Sequence, residues 1–217
     1  MKTKIILLIL GLCTAMILAS TATKKDELQA INQYYTNYID SLDQRVGLMY
    51  QSLYQNNVQE LRHHFIAARR YYKKIEFAVG YFYPETELKI NGAPIVESDA
   101  SMPNELTFPT GFQVLEDVLF AEQPDANDIR NEVDGLRSAI TKLRTNRENF
   151  SFTASNVMDA LKLNLYRLIT KGITGFDAPV TLNSLAEAQA TLESTSDVLA
   201  LLGHNHAPIT QLLQEGM

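Results

Sequence analysis

"LRHHFIAARRYYKKIEFAVGYF", residues 61–82, decides the fold. Leu61, Phe65, Ala68, Tyr72, Ile75, Val79 and Phe82 recur at alternating gaps of four and three, the spacing of a helix that turns one stripe toward a core. Pro84 then stops it, because the residue before a proline is pushed out of helical geometry. Upstream, Leu28, Ile31, Tyr35, Tyr38, Leu42, Val46, Met49 and Leu53 repeat the pattern and predict a long helix over 24–55. The short "QNN" at 55–57 joins the two as an antiparallel hairpin.

Beyond Phe82 the periodicity collapses over 83–109, a connection with four prolines and an Asn91-Gly92 turn signal. Its scattered Leu88, Ile90, Ile95, Val96 and Phe108 are expected to pack it over the bundle. Helical spacing resumes in "TGFQVLEDVLF", residues 110–120, and in a helix carrying Ile129, Val133, Leu136, Ile140 and Leu143, for which Asp125 is the expected cap. Met158, Leu161, Leu165 and Leu168 mark a further helix ending near Gly172. After "KGITGFDAPVTLN", Ser184 and Glu187 have the spacing of a capping box, followed by Leu185, Ala188, Leu192, Val198 and Leu199. The tail from His204 is read as starting one more helix. The fold class is therefore all-α, a bundle of about five to seven helices with a long Pro-rich connection at 83–109.

At the start, Lys2 and Lys4 precede an apolar run from Ile5 to about Leu18 and then small residues up to Ala22. That is the layout of a secretory signal peptide, and the run is shorter than a spanning helix needs. The expectation is a signal peptide at 1–22, a helical domain at 23–217, and export to the periplasm. Removing 1–22 takes two of the 19 basic residues and none of the 25 acids, so the net charge moves from −6 to −8. Such a chain is a poor nucleic-acid partner. Cys13, the sole cysteine, falls in the signal, which excludes disulfides and thiolate chemistry from the exported part. There is no CxxCH with which to attach a c-type haem.

Gln113 and Glu116 are the chemically informative pair. They lie on adjacent turns of a nearly apolar helix, and an ionised Glu116 there needs a partner from elsewhere. On the second helix Arg69, Tyr72 and Glu76 share a face, so Arg69 is expected to hold Glu116 while Gln113 and Tyr72 satisfy what remains. The group reads either as a structural network locking helices together or as a ligand or metal site, with Glu76 and Glu116 as the candidate metal ligands. In "ITGFDAP", Gly172 and Gly175 permit a tight backbone, and Asp177 is placed to cap a turn or to receive an arginine. His63 and His64 point in different directions on a helix and read as surface; His204 and His206 flank Asn205 as a weak metal clip. Paired tyrosines such as Tyr34-Tyr35 and Tyr71-Tyr72 read as helix-core edges with their hydroxyls at the rim.

These residues carry a resemblance. AR-x-x-Y-x-x-x-E from Ala68 to Glu76, with G-x-Q-x-x-E-x-x-L-F from Gly111 to Phe120, resembles the imelysin (M75) family, whose second motif is usually GxHxxE; Gln113 stands where the histidine is expected. More closely, "FIAARRYYKKIEFAVGYFYPETELKINGAPI", "PTGFQVLEDVLF" and "ITGFDAPVTLNSLAEAQATL" are similar to the N-terminal helical region of Bacteroidota di-haem cytochrome c peroxidases. The resemblance implies an exported accessory or binding domain of a peroxidase system. It places c-type haem outside this chain, in a downstream domain or a partner, and implies a di-haem peroxidase portion and a c-type cytochrome as partners. No catalytic residue is assigned here. The alternative it implies is a stand-alone periplasmic imelysin-like protein that binds iron, haem or another small ligand through Glu76, Gln113 and Glu116. A metallopeptidase ranks last, since neither HExxH nor HxxE occurs.

Overall fold

In a computed structural model, residues 2–99, 102–146, 152–203 and 211 are described, with side chains described from residue 25 onward except over 97–105. The two stripes form the antiparallel hairpin of α1 (Lys2–Tyr54) and α2 (Val58–Phe82). Asn56 takes the left-handed conformation at φ 50°, and the Asn57 side chain caps α2 by accepting from the Glu60 amide at 3.1 Å. Ile31, Tyr35, Ile39, Leu42, Val46 and Met49 are fully buried against Leu61, Phe65, Ala68, Tyr72, Ile75 and Val79. Ile39, not Tyr38, continues the buried stripe of α1; Tyr38 sits half-buried beside it. The proposed signal peptide falls on residues whose side chains lie outside those described. Among the described residues no helix is long and apolar enough to cross a membrane.

The connection over 83–109 is more ordered than its prolines suggest. Pro84 ends α2 and also opens α3 (Pro84–Asn91), where a first-turn proline loses no hydrogen bond. Strands β1 (Glu97–Asp99) and β2 (Met102–Thr107) then pair antiparallel, with Glu97 opposite Thr107 and Ser98 opposite Leu106. Of the five apolar anchors expected to hold this segment down, only Ile90 is buried; Leu88, Ile95, Val96 and Phe108 face solvent.

Helices α4 (Phe112–Leu119), α5 (Ala126–Asn146), α6 (Ala154–Arg167) and α7 (Ser184–Leu201) complete an all-α bundle. Asp125 caps α5 as expected, its Oδ1 accepting from the amides of Asn127 at 2.7 Å and Asp128 at 3.2 Å. The capping box forms elsewhere than predicted: Thr153 and Asn156 exchange bonds at the start of α6, whereas Asn183 precedes α7 without a side-chain cap bond. Helix α6 widens into one π-turn at Leu168–Gly172 before the loop to α7. Toward α2, α7 presents small polar residues instead of the expected leucines. Ser194 donates to the Lys74 carbonyl at 2.7 Å, and Thr191 and Thr195 back-bond to the carbonyls of Glu187 and Thr191. Leu185 points outward.

Candidate functional site: a buried charge network

Four elements deliver charge to one region inside the bundle. Helix α2 contributes Arg69, Tyr72, Lys73 and Glu76, all nearly inaccessible; α4 contributes Gln113 and Glu116; the loop before α7 contributes Asp177, and α7 itself Glu187. The spacing on α2 explains the first set, since positions 69, 73 and 76 recur at helical gaps and share a face.

Arg69 does not pair with Glu116. Its Nε donates to Glu187 Oε1 at 2.5 Å and its Nη2 to Oε2 at 2.9 Å, the two-pronged fit of guanidinium to carboxylate. Nη2 also donates to the Asp177 carbonyl. The guanidinium lies over the rings of Phe65 and Phe112, 5.8 and 5.7 Å from their centroids. Glu187, whose position suggests a cap, is thus the counterion of a buried arginine. A charge-assisted pair with no water to compete outweighs a single capping bond.

Glu116, with no exposed surface, is bonded through one oxygen only, and by the loop instead: its Oε1 accepts from the Thr181 amide at 2.8 Å and from Thr181 Oγ1 at 2.5 Å. Lys73 is the residue that sequence reasoning missed. Its Nζ donates to both Glu76 oxygens at 3.0 Å and to Asp177 Oδ2 at 2.8 Å. Gln113 Nε2 reaches Asp177 Oδ1 and the Asn91 carbonyl, each at 3.4 Å. Alongside, Arg167 donates through Nη2 to Glu87. Gly80 makes room for it: a Cβ there would sit 2.9 Å from Arg167 Nη1.

The electrostatics follow from this geometry. Burial alone raises the Asp177 carboxyl, but Lys73, aided by Arg69 and Arg167, holds it below the usual carboxylate range. Burial raises the Glu87 carboxyl and Arg167 only partly offsets it. The three cations resist desolvation because carboxylates surround them, so Arg69, Lys73 and Arg167 all keep their protons more tightly than usual. Burial drives the Tyr72 hydroxyl far above its ordinary range. Several buried polar atoms have no protein partner among the described residues: Tyr72 OH, Gln113 Oε1, Glu116 Oε2, Arg69 Nη1 and both amide atoms of Asn91 and of Asn164.

Gly111 fixes the approach of α4. Its φ of 100° is left-handed, and a Cβ would lie 2.5 Å from the Ile90 carbonyl oxygen. Its amide donates to Glu132 Oε2 at 2.9 Å, beside Thr110 Oγ1 at 2.7 Å. Gly111→Ala is expected to lose about 3 kcal/mol of stability from strain and overlap together. Gly175→Ala, with φ 84° but only Ser184 Oγ at 3.7 Å nearby, should lose about 1–2 kcal/mol. Urea denaturation of the two variants checks the order.

The structure brings Arg69, Glu76, Gln113 and Asp177 into one network and sets Glu116 at its edge, bonded to the same loop; neither Gln113 nor Tyr72 bonds to Glu116 as expected, Gln113 turning to Asp177 and Tyr72 contributing its ring against Phe112, and Gly111 and Gly175 act through backbone shape. A metal bridging Glu76 and Asp177 would have to displace the Lys73 ammonium, and no three His, Cys, Asp or Glu side chains converge as a ligand set among the described residues. His63 is exposed, and His64 lies 3.6 Å from Glu60. His204 and His206 lie outside the described residues. No protein-family model matches the chain, and no curated protein matches it.

Proposed function

We propose that this chain is an exported, imelysin-like helical module of a di-haem cytochrome c peroxidase system, acting as framework or docking domain for a haem-bearing portion outside it. The observation that carries this reading is the convergence of the three family-like segments. Arg69, Lys73 and Glu76 come from the first, Gln113 and Glu116 from the second, and Asp177 and Glu187 from the third, and the loop of the third bonds to both of the others. Charged side chains held this firmly favour a rigid scaffold over a reacting centre. The chain does not fit haem attachment, because CxxCH is absent from its sequence, so peroxide reduction belongs to the partner. Sequencing the locus decides it: two CxxCH motifs in frame beyond Met217 or in the adjacent gene support the proposal, and their absence from both rejects it.

A second reading is favoured by the unpaired atoms. Among Arg69, Lys73 and Arg167, five carboxylates (Glu76, Glu87, Glu116, Asp177, Glu187) exceed three cations, and Tyr72 OH, Gln113 Oε1 and the Asn91 amide are left without protein partners among the described residues. In this reading the chain is a stand-alone periplasmic protein that binds iron, haem or another small ligand beside Glu76, Gln113 and Glu116. Calorimetric titration of the purified protein with haem and with ferrous iron, repeated on Glu116→Ala, tests it; unchanged affinity in the variant removes Glu116 from any such site.

A further inference from the structure

Three adjacent pairs on α2, Arg69-Arg70, Tyr71-Tyr72 and Lys73-Lys74, divide across the helix. Arg69, Tyr72 and Lys73 turn into the buried interior, while Arg70 is exposed and Tyr71 and Lys74 are half-buried on the outer side. Helical geometry makes this split: positions 67, 70, 71 and 74 share one face, as 69, 72, 73 and 76 share the other. The outer set, with Ala67, lines a hollow of about 280 Å³ that Tyr38 of α1 and Ala190 of α7 close from the sides. The short side chains at 67 and 190 leave this space open and give it an apolar floor. The Tyr38 and Tyr71 rings stand beside it, 6.2 Å apart and tilted by 43°.

The charges around the hollow are unequally matched. Lys74 is taken, its Nζ lying 2.7 Å from Glu193 Oε2 and 3.8 Å from Asp197 Oδ2. The other Glu193 oxygen accepts from Gln189 at 2.9 Å, and Asp197 accepts from the Tyr34 hydroxyl at 3.3 Å. On α1, Asp40 and Asp43 turn to Arg144, at 3.2 and 2.7 Å; on α2, Glu60 lies beside His64. Arg45 and Arg70 are thus left without a carboxylate within 4 Å among the described residues, in a chain of net charge −6. Arg45 is also held in place. Its guanidinium lies over the Tyr71 ring, 5.9 Å from the centroid, and its Nη1 sits 3.5 Å from His64 Nδ1. Burial keeps the His64 ring below its ordinary value, so at neutral pH it is uncharged and Nδ1 can accept from Arg45. A guanidinium presents a planar fork that matches carboxylate or phosphate oxygens. Two of them flanking one tyrosine set the ligand's charge, and the size of the hollow sets its body at about one ring.

We propose that this hollow binds a small organic oxyanion, a carboxylate or phosphate carried on a single ring, with Arg70 and Arg45 holding the oxyanion and the ring lying against Ala67, Ala190 and the two tyrosines. Isothermal titration of the whole chain with phenyl phosphate, benzoate and inorganic phosphate tests it. The two ring-bearing anions are expected to bind roughly tenfold more tightly than inorganic phosphate, which leaves the apolar floor uncovered; the tighter of the two tells phosphate from carboxylate. Arg70→Gln should weaken binding of all three roughly tenfold without moving the urea midpoint, since the residue is exposed, and Arg45→Gln should do the same to affinity. Ala67→Leu fills the hollow, so it should remove the advantage of the ring-bearing anions and leave inorganic phosphate as it was. Lys162→Gln, an equal change of charge on α6, should alter nothing. No heat from any of the three anions overturns the proposal, as do affinities indifferent to Arg70→Gln and Arg45→Gln. Inorganic phosphate bound as tightly as phenyl phosphate, with Ala67→Leu without effect, would mean an adventitious ion only and overturns it as well.

Discussion

Replacing Arg69 by methionine is expected to lower the unfolding free energy by about 3–5 kcal/mol. The guanidinium is 1% exposed and its counterion Glu187 2% exposed, so methionine fills the volume but leaves a carboxylate in the interior without its partner. The Asp177 carbonyl loses a donor as well. The loss lies in the unpaired charge, so Arg69→Met combined with Glu187→Leu should recover most of it, as happens when a whole buried pair is exchanged for apolar side chains. Glu116→Leu should cost less, about 1–3 kcal/mol. It strands two donors of Thr181 but removes one negative charge from a cluster that has too many. Urea denaturation of the single and double variants measures all of this. Equal midpoints for Arg69→Met and Glu116→Leu, or no recovery in the double variant, would show that Arg69 is not the charge partner on which Glu187 depends.

The helices were legible because their stripes are local. Leu61 to Phe82 and Leu28 to Leu53 declare their buried faces within a few turns, and Asp125 declares a helix start within three residues. The network was half legible. That Glu116 needed a partner follows from its apolar setting, yet which arginine or hydroxyl supplies it depends on how helices distant in sequence dock. Glu187 lies 118 residues from Arg69, and its spacing from Ser184 imitates a capping box; a local motif and a long-range charge pair competed for one carboxylate, and the pair won. Lys73 sits unremarked in "YYKKIE", beside a second lysine. Its position, four after Arg69 and three before Glu76, was the available signal that one of the two lysines turns inward. Pro84 carried two meanings, the end of one helix and the first turn of the next, and only the former was read. Tyr166, Ile169, Ile173, Phe176 and Val180 do recur at gaps of three and four, yet the stripe faces outward, because a π-turn and an irregular loop change which side of the chain such spacing presents to the core.

Lys73→Met is expected to be at least as damaging as loss of Arg69, about 5 kcal/mol near neutral pH, because one ammonium serves two buried carboxylates. Glu76 is 3% and Asp177 5% exposed, and both bond to Nζ. The pH dependence distinguishes this cause from simple loss of packing. In the native protein the Asp177 carboxyl lies below its ordinary value because Lys73 overrides burial. The unfolded chain then takes up the proton first, so the stability Asp177 contributes is present above its unfolded value and is lost as pH falls through the folded one. In Lys73→Met burial acts with much less opposition, and the carboxyl is expected to rise above its ordinary value. The folded state then binds the proton more tightly, and acidification from neutrality toward about pH 5 stabilises the variant. Glu87, raised by burial in both proteins, cancels in the comparison. The two stability curves should therefore converge on the acid side of neutrality. On the alkaline side, the stability native Lys73 contributes is fully present below its ordinary value of 10.5 and is lost only as pH rises through the higher folded value. Denaturation midpoints for both proteins across this range provide the measurement; a gap between them that stays constant from neutral to mildly acidic pH would mean that Lys73 acts through its methylenes and not through its charge.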